Sequence, residues 1–310
     1  MPQKTFNPAT DIPSLSGKVI LITGGTAGLG AETAKQLAKA SPAHIYISGR
    51  KAAAADKLIQ QIQQASGGGD TATPVTFLPC DLASLSSVKQ AAETVLAQES
   101  RLDILMCNAG IMATPPGLTT DGYEIQFGTN HLGHALLIRK LLPLLEETAA
   151  SGADVRVIQL TSLGFKMHPG AGIVFDKVRT TQEFSAFGGW IRYGQSKLAN
   201  LLYASELARR HPALTSISLT PGVVNTGLVE NLGRFNRAFV WATNFGNLMG
   251  PEEGAHNQLW AATTAKTNLV NGRFYEPVGV LSGKLDKAAK DEALARRLWE
   301  WTEEALKEYL

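Results

Sequence analysis

Lys18-Val19-Ile20-Leu21-Ile22-Thr23 runs straight into Gly24-Gly25-Thr26-Ala27-Gly28-Leu29-Gly30, and then into the helix-like stretch Ala31 to Ala40. A short apolar run rich in β-branched residues reads as a strand buried on both faces. The glycines permit a tight turn and leave backbone N–H groups bare, so a pyrophosphate can approach them at a helix N-terminus. A glycine run alone is a weak signal. Between a buried strand and an amphipathic helix it becomes a strong one, against the plainer reading of an ordinary strand–helix turn.

Working outward, strand-like and helix-like stretches alternate. His44 to Ser48 reads as a strand and Ala52 to Ala65 as a helix; Gly67-Gly68-Gly69 then breaks the chain. Strand Val75 to Leu78, helix Ser84 to Glu99, strand Asp103 to Cys107 and a long helix Gly122 to Leu145 follow. Val155 to Leu160 is the next strand, a helix around Tyr193 runs to about Arg210, and Thr215 to Leu219 is strand six. Arg273 to Tyr275 reads as a short seventh strand. This order predicts an α/β, Rossmann-type doubly wound parallel sheet of about seven strands with helices on both faces. A tail over residues 1–16 precedes a single domain over 17–310. Residues 164–190 and 227–250 read as substrate-side insertions, the second aromatic through Phe235, Phe239, Trp241 and Phe245. In Lys290 to Leu310, Leu294, Leu298, Trp301 and Ala305 form one apolar helical stripe, expected to pack on the domain.

The chain of 310 residues is 44% hydrophobic and 18% charged, ordinary for a protein with a real core. A net charge of +2 with no basic run gives no reason to expect nucleic acid. Met1 to Asp11 is polar, no stretch is apolar enough to span a bilayer, and the expected compartment is the cytoplasm. Cys80 and Cys107 fall near the ends of strands that are not neighbours. Three steps of ~4.8 Å exceed the ~7 Å limit for a disulfide, so both read as buried thiols. His131 and His134 have no companion ligand motif and read as packing or surface residues; no metal is expected.

Two further stretches carry chemistry. Tyr193-Gly194-Gln195-Ser196-Lys197 places a phenol and an ammonium at i and i+4, on one face of a helix. A free tyrosine titrates near ~10; a neighbouring lysine cation is expected to draw it down, toward useful general acid–base work. After the second strand, where an NAD site would place Asp or Glu against ribose hydroxyls, stand Ser48-Gly49-Arg50-Lys51. Arg50 suits a 2′-phosphate with Lys51 assisting, which predicts NADP(H) over NAD; a solvated basic turn is the alternative.

Assembled, these motifs resemble the short-chain dehydrogenase/reductase family, single-domain type, over roughly residues 17–280. Its TGxxxGxG motif matches Thr23 to Gly30, which implies that Thr23, Gly24, Thr26, Gly28, Leu29 and Gly30 hold the cofactor; Ala27 departs from the extended branch. The resemblance implies that Asp81, followed by Leu82, contacts the adenine, and that Asn108-Ala109-Gly110 braces the central sheet and the ribose. Cys107 departs from the asparagine usual before that motif. Asn130 matches the helix asparagine that holds a relay water, Ser162 the catalytic serine, and Tyr193 and Lys197 the YxxxK pair, which also touches the cofactor. Pro221, Gly222, Val224 and Thr226 match the segment that brackets the nicotinamide amide. Ser162 and Tyr193 stand about thirty residues apart, which resembles the retinol dehydrogenase and WW-domain oxidoreductase branch.

The implied reaction interconverts a carbonyl and an alcohol with NADP(H). Tyr193 is expected to exchange the proton, Ser162 to hold the substrate oxygen, and Asn130 to fix a water leading from Lys197. Moving a phenol from ~10 to ~7 requires about 4 kcal/mol of charge interaction. Met112, Leu163, Phe187, Trp190 and the aromatic loop after Thr226 are candidate walls, favouring a bulky apolar or aromatic ketone or aldehyde. Reduction is the expected direction, in a monomer or homodimer. Two other readings stand beside this one: a non-catalytic dinucleotide-sensing interaction protein, and a peripheral-membrane retinoid or lipid dehydrogenase that dips Arg237 to Met249 into a bilayer.

Overall fold

All four residues of the first strand, Val19–Ile22, are buried, and the whole sheet is built outward from it. The computed structural model describes residues 6–65, 72–184, 187–230, 232–243 and 248–310; Gly67-Gly68-Gly69 and Phe245 lie outside these. In chain order the elements are α1 (Pro8–Asp11), β1 (Val19–Ile22), α2 (Gly28–Ala38), β2 (His44–Gly49), α3 (Ala52–Ala65), β3 (Val75–Pro79), α4 (Leu85–Gln98) and β4 (Ile104–Cys107). Then come α5 (Ile125–Phe127), a π-helical turn (Gly128–Leu132), α6 (Gly133–Ala150), β5 (Arg156–Leu160), a 3-10 turn (Leu163–Met167), α7 (Gly188–Arg210) and β6 (Thr215–Leu219). The chain closes with α8 (Gly227–Glu230), α9 (Arg234–Thr243), α10 (Pro251–Gly254), α11 (His256–Thr263), β7 (Phe274–Glu276), β8 (Val280–Leu281) and α12 (Glu292–Leu306).

The sheet order is β3-β2-β1-β4-β5-β6-β7-β8. The first seven strands are parallel and β8 is antiparallel to β7. Leu21 pairs with both Tyr46 of β2 and Leu105 of β4, so the winding reverses between β1 and β4. A reversal of this kind opens a crevice at the carboxyl ends of those strands. The eighth strand exceeds the seven expected from the sequence. Val280 and Leu281 are exposed, so their burial gives no strand pattern to read.

Side chains alternate across the sheet as strand geometry requires. Val19 and Leu21 join the core under α4, α6, α7 and α12, whereas Ile20 and Ile22 join the core under α2, α3 and α11. Each fully buried Leu or Ile contributes ~1.5–3 kcal/mol, which makes these two layers the main source of stability. Cys80 and Cys107 are buried and unbridged, three strand positions apart. Burial raises both thiols, Cys80 to about 12.

The expected helix Gly122 to Leu145 is corrected. It starts at Ile125, where the Glu124 carboxylate accepts from Phe127 N at 2.7 Å, and passes through the π turn before α6 continues to Ala150. Residues 126–138 are buried on every side, so no apolar stripe exists to show the register shift of a π turn, and such bulges favour functional sites. The apolar stripe of α12 packs as expected: Leu298 is fully buried, and Leu294, Trp301 and Ala305 lie against the same core.

Candidate functional site

The crevice floor is the loop between β1 and α2. Thr23 Oγ1 accepts from Ala109 N at 3.0 Å, and Asn108 Nδ2 donates to Thr23 O at 2.8 Å. The Asn108-Ala109-Gly110 turn is thereby pinned onto the glycine loop. Gly24 has φ +63°, a region in which a side chain is strained. A methyl at Gly30 would overlap the Gly24 carbonyl oxygen and stand 2.7 Å from Asn108 Nδ2. The N-cap of α2, Ala27, offers no side-chain bond. The first-turn amides of this 11-residue helix are therefore left for an outside acceptor. An uncapped helix start behind a loop with no room for side chains fits a dinucleotide pyrophosphate.

The other expected cofactor residues gather around this floor. A Cβ at Gly49 would stand 2.8 Å from Thr26 Oγ1, and one at Gly28 would stand 3.5 Å from Thr226 Cγ2. Leu29 and Val224 meet over Gly254. Arg50 and Lys51 follow β2 directly and are exposed. Asp81 Oδ1 accepts from Ala83 N at 3.0 Å, while Leu82 is buried against Gly133. Pro221 and Gly222, the latter at φ +86°, continue from β6. Thr226 Oγ1 accepts from Leu228 N at 3.3 Å and so caps α8.

Ser162, just past the end of β5, and Tyr193, on α7, meet beside Gly164, with Lys197 one turn further along α7. A Cβ at Gly164 would lie 3.1 Å from Tyr193 Cε1 and 3.3 Å from Ser162 Oγ. Ser162 Oγ accepts from Gly164 N at 3.0 Å, and the same hydroxyl hydrogen-bonds Tyr193. Burial pushes Tyr193 up to about 12, with the hydrogen bond to Ser162 acting in the opposite sense. Lys197 is pushed down to about 8 by burial. Its Nζ donates to Leu160 O at 3.0 Å and lies 5.7 Å from the centre of the Tyr193 ring. In the protein by itself removal from water dominates the Tyr193 shift, and the Lys197 hydrogen bond is aimed at a carbonyl.

Asn130 sits in the π turn with its amide committed. Ile111 N donates to its Oδ1 at 2.8 Å, and its Nδ2 donates to Ile111 O and to Ser196 Oγ, each at 2.9 Å. It therefore ties the turn after β4 to α7. A Cβ at Gly110 would stand 3.1 Å from Asn130 Oδ1 and 3.4 Å from Lys197 Nζ. Both hydrogens of Nδ2 are used, whereas Oδ1 accepts one bond and keeps a second lone pair.

His134 was not singled out for this site by sequence, and the structure places it there. Its Nδ1 donates to Asn130 O at 2.9 Å, so its Nε2 accepts from the Thr23 hydroxyl at 2.8 Å. One ring links the glycine loop to the π turn. This arrangement suits a neutral imidazole, and burial lowers His134 to about 4. His131 is also buried, 3.0 Å from Thr302 Oγ1 of α12, so neither histidine is a surface residue. The available signal was the i, i+4 spacing from Asn130 to His134. Among the described residues no three potential metal ligands cluster.

On the outer side of Tyr193, an apolar group gathers Ala113, Trp190, Val229 and Val240, with Met112 and Phe239 against them. Trp190 Nε1 donates to Asn236 Oδ1 at 3.1 Å, which fastens α9 over this group. Phe187 stacks loosely on Phe235 and Phe239, with ring centres 6.3 and 5.7 Å away. Leu163, expected as a wall, is partly buried and packs against the main core.

Comparison with known proteins places this geometry. The model of the short chain dehydrogenase family matches residues 18–237. An uncharacterized oxidoreductase of Schizosaccharomyces pombe is 37% identical over 308 residues, covering 97% of this chain and 87% of that one. Retinol dehydrogenase 11 of Homo sapiens is 34% identical over 293 residues, covering 94% and 86%. The crystal structure of an uncharacterized protein from Mycobacterium paratuberculosis superposes with a TM-score of 0.73 at 31% identity, covering 98% of each chain.

Proposed function

The chain belongs to the short-chain dehydrogenase/reductase family, near its retinol dehydrogenase branch, and from that premise we propose an NADP(H)-dependent reductase of ketones or aldehydes on bulky apolar or aromatic molecules. The observation that carries this reading is the meeting of Ser162, Tyr193 and Lys197 beside an uncapped phosphate cradle. NADP(H), when bound, supplies or accepts the hydride. Thr23 to Gly30 would hold its phosphates, Asp81 and Leu82 its adenine end, Asn108 to Gly110 its ribose, and Pro221 to Thr226 its amide. Arg50 and Lys51, exposed just past β2, would take the 2′-phosphate.

The chain's own residues handle the proton. With Tyr193 at about 12, the phenol keeps its hydrogen at neutral pH and is an acid ready to donate to a carbonyl oxygen. Ser162, its oxygen already accepting from Gly164, donates to the same substrate oxygen as negative charge develops there. Lys197, at about 8, remains mostly cationic at neutral pH and offsets the charge left on the phenolate. Asn130 holds the loop beside Lys197 and would help to seat the water that returns the proton. The apolar group over Tyr193 excludes bulk water and favours a flat, apolar substrate.

The test is a panel of aliphatic, aromatic and retinoid carbonyl compounds, with consumption of NADPH and of NADH followed by absorbance. Faster NADPH consumption with the larger apolar members is expected. Absence of turnover with every member would overturn the reading, and equal rates with both dinucleotides would remove its NADP part. A second reading, a peripheral-membrane enzyme, draws on α9, where Phe235 and Trp241 are 71% and 61% exposed beside Arg234 and Arg237. No helix among the described residues is long and apolar enough to cross a membrane. Co-flotation with anionic vesicles would favour this second reading.

A further inference from the structure

We propose that Arg192 is a positioning residue that fixes the substrate-side wall of the site by gripping two strained turns from behind. The inference rests on the carbonyl-reductase reading and adds a residue to it. Arg192 precedes Tyr193 on α7, so its head leaves the helix about 100° away from the phenol. It is almost wholly buried, as is its ion-pair partner Glu124, with Nε 3.2 Å from Glu124 Oε1. The remaining arms of the guanidinium reach backbone. Nη1 donates to Gln182 O at 3.0 Å, and Nη2 donates to Thr114 O at 2.9 Å.

Both carbonyls belong to backbone that is strained without help. Gln182 has φ +48°, and Ala113, next to Thr114, also has φ +48°. Residues with a Cβ rarely hold such angles unless their surroundings impose them, and the strain concentrates at functional sites. Ala113 belongs to the apolar group around Tyr193 and Trp190. It also touches the first turn of α7, where a Cβ on Gly189 would come within 3.2 Å of the Ala113 carbonyl. Gln182 is held a second time, accepting at Oε1 from Gln195 Nε2 at 2.9 Å. One guanidinium thus sets the turn after β4 and the long segment before α7 relative to the helix that carries Tyr193. A lysine has one point charge and cannot reproduce a fork aimed at two carbonyls.

The experiment uses two diketones with the same reacting group, benzil as the large probe and butane-2,3-dione as the small one. R192K and the charge-balanced double variant R192M/E124Q are compared with the unaltered enzyme at saturating NADPH. The double variant avoids leaving a buried carboxylate alone and so protects folding. Wall displacement of about 1 Å should raise KM for benzil about tenfold or more, with kcat/KM for butane-2,3-dione changed less than about threefold. NADPH affinity should stay unchanged. Amide hydrogen exchange should quicken in residues 112–118 and 178–184 but not in 17–30. General destabilisation would lower both diketones and NADPH binding together, and that parallel loss, or no change at all, overturns the proposal. If the unaltered enzyme reduces neither diketone, the carbonyl panel decides the reductase reading, and the clamp stands or falls on the exchange pattern alone.

Discussion

Replacing Lys197 with methionine should make the ligand-free protein more stable while it destroys turnover. The ammonium is fully buried, and burial depresses it from 10.5 to about 8. That gap of about 2.5 units corresponds to ~3 kcal/mol charged against the fold at neutral pH. Methionine is close in length, carries no charge and leaves little new void. Nor does it orphan the acceptor, because Leu160 O also receives Asn200 Nδ2 at 3.2 Å. The sign with pH follows from proton uptake. Between pH 8 and 10.5 the unfolded chain binds the proton that the folded chain has lost, so the unaltered protein gains stability as pH rises through that window. The advantage of Lys197→Met should therefore be largest below pH 8 and vanish above 10.5. Urea unfolding of both proteins at pH 7 and pH 9.5, without dinucleotide, measures it. A variant less stable than its parent at pH 7, or an advantage that does not shrink at pH 9.5, would refute the claim that Lys197 is an uncompensated buried cation.

Tyr193→Phe should lower kcat by ~10²–10⁴ while NADPH binding, followed by fluorescence titration, stays within about twofold; retained turnover would remove Tyr193 as the acid. Arg50→Ala combined with Lys51→Ala should cut the NADPH-to-NADH preference by ~10–100-fold in kcat/KM, the scale of one or two charge-assisted hydrogen bonds. An unchanged ratio would show that both are solvated bystanders. Acid should weaken the fold through its buried histidines: burial holds His134 at about 4, below the usual 6.5. As pH falls from about 6.5 toward 4, the unfolded chain takes up a proton the folded chain refuses, a loss of up to ~3 kcal/mol. His134→Gln should flatten that dependence in urea unfolding between pH 7 and 4.5, and an identical slope would refute the assignment.

Much of the sheet was legible because buried parallel strands are written as apolar runs. Ala52–Ala65 and Thr215–Leu219 coincide with their expected bounds. Helix α11 escaped because its first turn carries buried polar residues that serve as braces: Asn257 Nδ2 donates to Thr220 O at 2.7 Å, and Gln258 reaches Thr33. Polar letters at buried positions erase the stripe by which a helix is recognised. At the site, the four-residue step from Tyr193 to Lys197 was readable as a shared helix face, yet the direction of the tyrosine shift was not. That direction depends on how much water the fold removes, which no spacing records. Arg192 was silent for a related reason. Its partners at Gln182 and Thr114 lie 10 and 78 positions away, and a lone arginine in a helix ordinarily reads as solvated surface.

Trp299 lies flat on Tyr203, ring centres 4.7 Å apart, and Thr302 closes over His131, so the chain's own last helix roofs the outer side of α6 and α7. A second copy could meet those helices only once the roof had lifted. Lifting it would put Leu298, Trp299 and Leu306 into water, a cost of ~1.5–3 kcal/mol for each aliphatic side chain before any new contact forms. Burial of that face beneath α12 therefore opposes self-association across it.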